Sequence, residues 1–429
     1  MSTALLTDHY ELTMLAAALR DGTAQRRCVF EVFARHLPAG RRYGVVAGAG
    51  RLLDAIEAFR FGEAEIAELR DKAIVDTDAL EWLAAHRFSG HIDGYAEGEL
   101  YFPGSPILTV RGSFAEAVLL ETLVLSVLNH DTAIASAAAR MVCAAGDRPC
   151  IEMGSRRTHE EAAVAAARAA YLAGFAATSN LATGARYGVP TTGTSAHAFT
   201  LLHDDESAAF AAQVAAMGVH TTLLVDTHDV WEGIRAAVRT AGLQLGAIRL
   251  DSGDLGSLAA QARELLDSLG ATGTRIVVTS DLDEYAIAAL AAAPVDSYGV
   301  GTALVTGSGA PTAGLVYKLV EVDGGPVAKA STGKPSLGGR KFAVRRHDRQ
   351  GVMTSEVITT GKPAEALEGD RALQSPLLVD GRRVEPRDSP PAELERARAH
   401  HRDVMATLPA VGRKLSRGEP GIDTDFVQP

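Results

Sequence analysis

Ala247-Ile248-Arg249-Leu250-Asp251-Ser252-Gly253-Asp254 is a short apolar run that ends in charge and opens a helical pattern at Leu255. The same switch recurs along residues 149 to 302. Apolar runs lie at 149–154, 175–179, 189–194, 221–226, 247–251, 276–280 and 297–301. Helical patterns fall between most of them, at 160–173, 206–217, 230–241, 255–269 and 282–292. A strand-then-helix unit every ~25 residues predicts a parallel sheet, because parallel neighbours need a crossover that a helix supplies. About seven such units predict an α/β barrel, irregular or incomplete, rather than an open sheet. No GxGxxG follows the first run, which weighs against a dinucleotide-binding fold.

The flanks differ. Residues 88–112 read as short strands broken by Gly90, Gly94, Gly98 and Pro103-Gly104, and 114–145 as one long, very apolar helical stretch. Alternating runs return at 326–331, 340–346 and 351–359, and 390–408 reads as a polar helix. The two ends of the chain are expected to meet in a discontinuous α+β domain, 1–140 with 325–429, beside a barrel domain of 141–324.

A chain of 429 residues, 47% hydrophobic, can bury a sizeable core. Its formal net charge of -11 argues against a general nucleic-acid or anionic-membrane binder. Cys28, Cys143 and Cys150 form no CxxC pair and no even framework, which predicts inert thiols in a reducing compartment. The N-terminal residues lack a basic region followed by a long apolar stretch, and no segment is expected to span a membrane. A soluble cytoplasmic protein is expected.

In a strand, residues two apart share a face, so Arg249 and Asp251 point together and Leu250 points away. In parallel α/β proteins the carboxyl ends of the strands are where ligands bind. Arg249 is suited to a phosphate, and Asp251 to a ribose hydroxyl or a Mg²⁺ shell. A buried structural ion pair is the plain alternative. Ser252 is placed to cap the following helix, with Asp254 in its first turn. Gly193-Thr194-Ser195-Ala196-His197 ends another run at the same edge. A neutral His197 there could act as a base or as a nucleophile toward phosphorus; a satisfied core or surface histidine is the alternative.

Four further tracts carry weaker signals. Gly154-Ser155-Arg156-Arg157 puts two arginines at a strand end, as an anion site or a solvated corner. Gly299-Val300-Gly301-Thr302 could let backbone N–H groups approach a phosphate, or could be a plain turn. Asp8-His9-Tyr10-Glu11 opens a helix with the spacing of a capping box, and Tyr10 could offer a flat ring to an aromatic ligand. Lys329, Lys334, Arg340 and Lys341 form the densest basic segment, a solvated loop or a lid over a polyphosphate.

In their joint order these tracts resemble the nicotinate phosphoribosyltransferase family over nearly the whole chain. The resemblance also rests on 6–14, Leu119-Leu120-Glu121-Thr122-Leu123 and Leu128-Asn129-His130. It implies transfer of a phosphoribosyl group from phosphoribosyl pyrophosphate to nicotinate, with ATP hydrolysis coupled through a phosphohistidine and with Mg²⁺ required. It implies a homodimer with shared sites. By resemblance, His197 is the phosphorylated residue and Tyr10 stacks on the pyridine from the neighbouring subunit. Arg156 and Arg249 lie near the pyridine carboxylate and the phosphates, and Asp251 is the acid beside the ribose. Gly301 and Thr302 cradle the 5′-phosphate; Thr194, Ser280 and Lys334 complete the substrate-binding set. Relatives that use nicotinamide carry an aspartate where this chain has Asn180, so nicotinate is favoured. Ala198 departs from the serine the family often has after the histidine, and His9 and Glu11 depart from the residues that commonly flank the tyrosine.

Nicotinamide or quinolinate transfer, or a sensor that binds phosphoribosyl pyrophosphate without turning it over, are the alternatives. The joint presence of His197, Arg249, Asp251 and the glycine tract argues against a sensor. A Schiff-base aldolase is excluded, since no lysine occurs from 149 to 302.

Overall fold

The computed structural model describes residues 2–329, 337–365, 367–385 and 388–427. The chain divides into two compact units, Met1–Ser136 with Thr312–Pro429, and Ala137–Pro311.

The second unit holds one six-stranded sheet. Its strands are β1 (Cys150–Glu152), β2 (Ala177–Thr178), β3 (Thr222–Leu224), β4 (Ala247–Leu250), β5 (Arg275–Val278) and β6 (Ser297–Val300). They lie in the order β2-β1-β6-β5-β4-β3. Every pairing is parallel, so all the carboxyl ends share one edge of a curled, incomplete α/β barrel. The run at 189–194 adds no strand. Pro190 has no N–H to donate, and Thr191 makes only an isolated bridge to Thr178.

Helices Glu160–Leu172, Glu206–Met217, Val230–Ala241, Leu255–Ser268 and Glu284–Ala289 connect the strands. Small residues let them lie close to the sheet. At Gly233 an added Cβ would stand 2.3 Å from the Val225 carbonyl oxygen. Aspartates start four of these helices by accepting from the first free N–H groups, and His159 starts Glu160–Leu172. Asp229 accepts from Trp231 and Glu232 at 3.0 and 2.9 Å, and Asp283 from Tyr285 and Ala286 at 2.9 and 2.8 Å. After β4 the cap is Asp254, not Ser252: Asp254 accepts from the Ser257 N–H at 3.4 Å. The Ser252 hydroxyl is drawn instead to Asp226, at 2.9 Å.

In the first unit, strand Arg27–Ala34 lies between Leu315–Val322 and Leu108–Ser113 in a seven-stranded antiparallel sheet. Segments from both ends of the chain therefore share one sheet. Because Leu315–Val322 pairs along Cys28–Ala34, residues 312–324 belong here, and the barrel unit ends at Pro311 rather than at 324. A second sheet joins Lys341–His347 and Met353–Thr360 to Arg371–Ala372 and Asp423–Val427. Helices His9–Asp21, Ala49–Glu57, Glu63–Asp71, Thr77–Ala85 and Pro390–Thr407 complete the unit.

One further expectation changes. The Asp8 side chain caps nothing. Glu11 turns inward instead, accepting from the Thr122 N–H at 2.9 Å and its hydroxyl at 2.6 Å. The stretch Phe114–Ala145 is long and apolar enough to cross a membrane by length and composition, but 67% of its apolar window is buried inside the protein. It is a core element: Leu119, Leu120, Leu123 and Val124 sit in the apolar core of the first unit. Asp131, fully buried, pairs there with Arg51 at 2.7 Å. No disulfide joins any of the three cysteines, and burial pushes the Cys28 and Cys150 thiols up to about 11 and about 12.

Gly233→Ala should lower the unfolding free energy by about 1–3 kcal/mol, because the helix must lift off Val225; an unchanged urea midpoint would contradict this packing. Acid should also weaken the protein. Burial holds the His86 and His401 imidazoles down to about 4, while an unfolded histidine titrates near ~6.5. The unfolded chain binds more protons between those values, so stability is complete above pH ~6.5 and falls toward pH ~4, by up to about 3 kcal/mol per histidine. His401→Asn, which keeps a donor for the Gly98 carbonyl, should flatten the pH dependence of the urea midpoint. Equal slopes in parent and variant would refute it.

Candidate active site

The carboxyl ends of β1, β4, β5 and β6, with the segment 192–197, enclose a cleft of about 700 Å³. Of the residues singled out in the sequence, Arg156, Thr194, His197, Arg249, Asp251, Ser280, Gly301 and Thr302 line it. Parallel pairing brings them together: each strand delivers its last side chains to the same edge.

His197 opens the short helix His197–Leu201. Its Nδ1 lies 3.1 Å from the Thr227 hydroxyl. Its Nε2 faces two carboxylates, Asp251 Oδ2 at 3.7 Å and Asp226 Oδ1 at 4.0 Å. Positive charge on this ring, from a proton or from a bond to phosphorus, would meet two anions.

Asp226 was not among the sequence candidates. Its side chain is 1% exposed and lies beneath the cleft. Oδ2 accepts from the Asp251 N–H at 2.7 Å and from the Ser252 hydroxyl at 2.9 Å, whereas Oδ1 is buried with no hydrogen-bond partner. A carboxylate oxygen left in that state is costly, and it points toward His197. The signal was present in the sequence: the run 221–226 ends in an aspartate just as the run 247–251 does. Thr279, also missed, donates its hydroxyl to Asp251 Oδ1. Asp251 is thus fixed from both sides, by Asp226 from β3 and by Thr279 from β5.

Arg249 and Asp251 share a face while Leu250 is fully buried on the other. The Arg249 Nη2 donates to the Ser195 carbonyl at 3.1 Å, and its buried Nε has no partner. Burial lowers its pKa from the ordinary arginine value and Arg156 pushes the same way, while Asp251 and Asp226 oppose them. A guanidinium in this state gains from an incoming anion. Arg157 and Asp281 also line the cleft. Ser280 has φ +126°, a conformation that side chains rarely adopt; such strain persists where the surroundings enforce it, and functional sites are where it concentrates. Gly154 must be glycine, since a Cβ would stand 2.2 Å from Val305 Cγ1.

Two candidates lie elsewhere, and the place of a third is not described. Asn180 does not line the cleft. Its Oδ1 caps helix Leu181–Tyr187 through the Thr183 N–H at 2.9 Å, and its Nδ2 donates to Ser155 Oγ at 3.0 Å. Tyr10 belongs to the first unit, on helix His9–Asp21, with 45% of its surface exposed. Lys334 falls outside the described residues.

The family model of the nicotinate phosphoribosyltransferase N-terminal domain matches residues 5–129. Nicotinate phosphoribosyltransferase pncB1 of Mycobacterium tuberculosis is 63% identical over 429 residues, covering 98% of this chain and 94% of the relative. The Bacillus subtilis nicotinate phosphoribosyltransferase is 39% identical over 331 residues, covering 75% of this chain and 67% of its own length. The crystal structure of human nicotinic acid phosphoribosyltransferase superposes with a TM-score of 0.84 at 26% identity, over 98% of this chain and 97% of that one. Sequence similarity along nearly the full length and a shared incomplete barrel lead to one assignment: the chain belongs to the nicotinate phosphoribosyltransferase family.

Proposed function

We infer that this protein joins nicotinate to the ribosyl carbon of phosphoribosyl pyrophosphate, releasing pyrophosphate and forming nicotinate mononucleotide for NAD biosynthesis. The observation that carries the reading is the cleft itself. Its arginines Arg156, Arg157 and Arg249 suit an anionic pyridine and phosphates, and Asp251 stands among them at the end of β4.

As the bond to pyrophosphate breaks, the ribosyl carbon gains positive charge. The Asp251 carboxylate, fixed by Thr279 and Asp226, is already in place to stabilise it and need not reorganise. The nicotinate nitrogen then forms the new bond with its own lone pair. Gly301 and Thr302, at the start of helix Thr302–Val305, suit the 5′-phosphate.

Mg²⁺ fits this donor set. Asp251 and Asp281 offer hard carboxylate oxygens in the cleft, and magnesium bound through substrate phosphates needs only one or two such ligands. When bound it would neutralise the departing pyrophosphate.

ATP is proposed to phosphorylate His197. A ring nitrogen attacks the γ-phosphorus, and the bond to ADP breaks with its electron pair leaving on ADP. Asp226 and Asp251 offset the charge on the ring. Hydrolysis of the phosphohistidine then completes the cycle. A soluble cytoplasmic homodimer is proposed: Leu181, Leu201 and Leu202, on the cleft-bearing unit, are 76%, 63% and 78% exposed and suit a subunit contact. Tyr10, exposed on the first unit, suits a ring offered to a neighbouring copy.

Incubation with phosphoribosyl pyrophosphate, Mg²⁺ and, separately, nicotinate, nicotinamide or quinolinate should yield mononucleotide from nicotinate, faster with ATP. Absence of product from nicotinate would sink the reading. Asp251→Asn should lower kcat by about 10²–10³-fold with the fold intact, and a variant within about threefold of the parent would remove Asp251 from the mechanism. His197→Ala should keep slow, ATP-independent turnover and lose stimulation by ATP. Full stimulation in that variant would refute the phosphohistidine.

A further inference from the structure

Glu152 is the last residue of β1, and none of it reaches solvent. Its carboxylate accepts from the Gly154 N–H and from the Thr178 hydroxyl. The Thr178 oxygen in turn accepts from the Asn180 N–H at 2.9 Å. The Asn180 amide donates to Ser155 Oγ at 3.0 Å. These bonds close a ring through Glu152, Thr178, Asn180, Ser155 and Gly154. The ring ties the turn that carries Ser155, Arg156 and Arg157 into the cleft to the end of β2. Within that turn the backbone adds one bond, from the Arg157 N–H to the Gly154 carbonyl at 2.8 Å.

Burial raises the Glu152 pKa, and the Thr178 hydroxyl and the Gly154 N–H oppose it; among the described residues no cation acts on it. An apolar side chain would fill the position with less desolvation cost. What a carboxylate adds is two acceptor oxygens that can hold donors from two separate turns at once.

We propose that Glu152 is a positioning residue for anion recognition: acting through Gly154 and Thr178, it sets where Ser155 and Arg156 stand and thereby the affinity for the pyridine carboxylate. It touches no substrate itself. The inference rests on reading the cleft as the nicotinate site. Across the cleft, His197 and Asp251 hang on bonds through Thr227, Asp226 and Thr279 that do not pass through Glu152.

Glu152→Gln tests this in the full-length protein. The amide can still accept from Gly154. Toward Thr178, however, it presents N–H, so the threonine oxygen faces two donors and its own hydrogen loses its acceptor. The nicotinate KM should rise about tenfold, while kcat and the KM for phosphoribosyl pyrophosphate stay within about threefold of the parent. Thr178→Val should reproduce that split, and Thr178→Ser, which keeps the hydroxyl, should restore the parent KM. A nicotinate KM within about twofold of the parent in both Glu152→Gln and Thr178→Val overturns the proposal. So does a joint loss in kcat and both KM values with a lowered unfolding temperature, which marks a purely structural role. Should Glu152→Gln fail to fold, the two Thr178 variants decide alone. A parent with no nicotinate turnover overturns the functional reading and this inference with it; an active parent with unmoved variants overturns this inference only.

Discussion

Parallel pairing of β3, β4 and β5 is the constraint on which the candidate site depends. The pairing aligns Leu224 with Arg249 and Leu250 with Val278. It follows that Asp226, Asp251 and Thr279, each just past a strand end, arrive side by side. Asp226 takes the Asp251 N–H at 2.7 Å and Thr279 holds the Asp251 carboxylate. Slipping one strand by a residue would turn Arg249 and Asp251 from the cleft face to the packed face. The core residues that fix the register, Ile248, Leu250, Ile276 and Val278, are fully buried. Packing of the sheet and placement of the chemistry are one requirement.

Two supports hold the cleft from opposite sides. On the β3–β5 side, Asp226 and Thr279 fix Asp251, and Thr227 meets His197. On the β1–β2 side, Glu152 and Thr178 hold the turn bearing Ser155 and Arg156. The sides differ in what they present: the first offers carboxylates and an imidazole where charge would develop, beside the Arg249 guanidinium, and the second offers the guanidinium groups of Arg156 and Arg157 to an anion. Preorganisation of this kind lowers the reorganisation a reaction requires.

Much of the barrel unit was legible because its signal is local. Helices 206–217 and 230–241 fall at their expected limits, since the Asp205 and Asp229 caps and the glycines that follow mark both ends. The run 189–194 looked like a strand by composition, but Pro190 and the lack of a partner leave it a bridge. Arg249 and Asp251 were readable from the alternation of a strand. Asp226 was marked only by its place at the end of a run, and Thr279 and Glu152 not at all, because the roles of all three arise from neighbours 25 or more residues away in sequence. Leu315–Val322 was assigned to the barrel because nothing local shows that its partner is Arg27–Ala34. Asn180 could be seen as a polar residue at a strand end, yet its bonds to Thr183 and Ser155 exist only in the folded chain. Phe114–Ala145 shows the reverse limit: composition alone does not separate a core helix from a membrane span.

A crystal structure of the protein with nicotinate mononucleotide bound tests the central claim most directly. The account predicts the phosphate at Gly301 and Thr302, the ribose beside Asp251, and the pyridine carboxylate within reach of Arg156. A mononucleotide seated away from the carboxyl edge of the parallel sheet, with Arg156, Arg249 and Asp251 untouched, would contradict it.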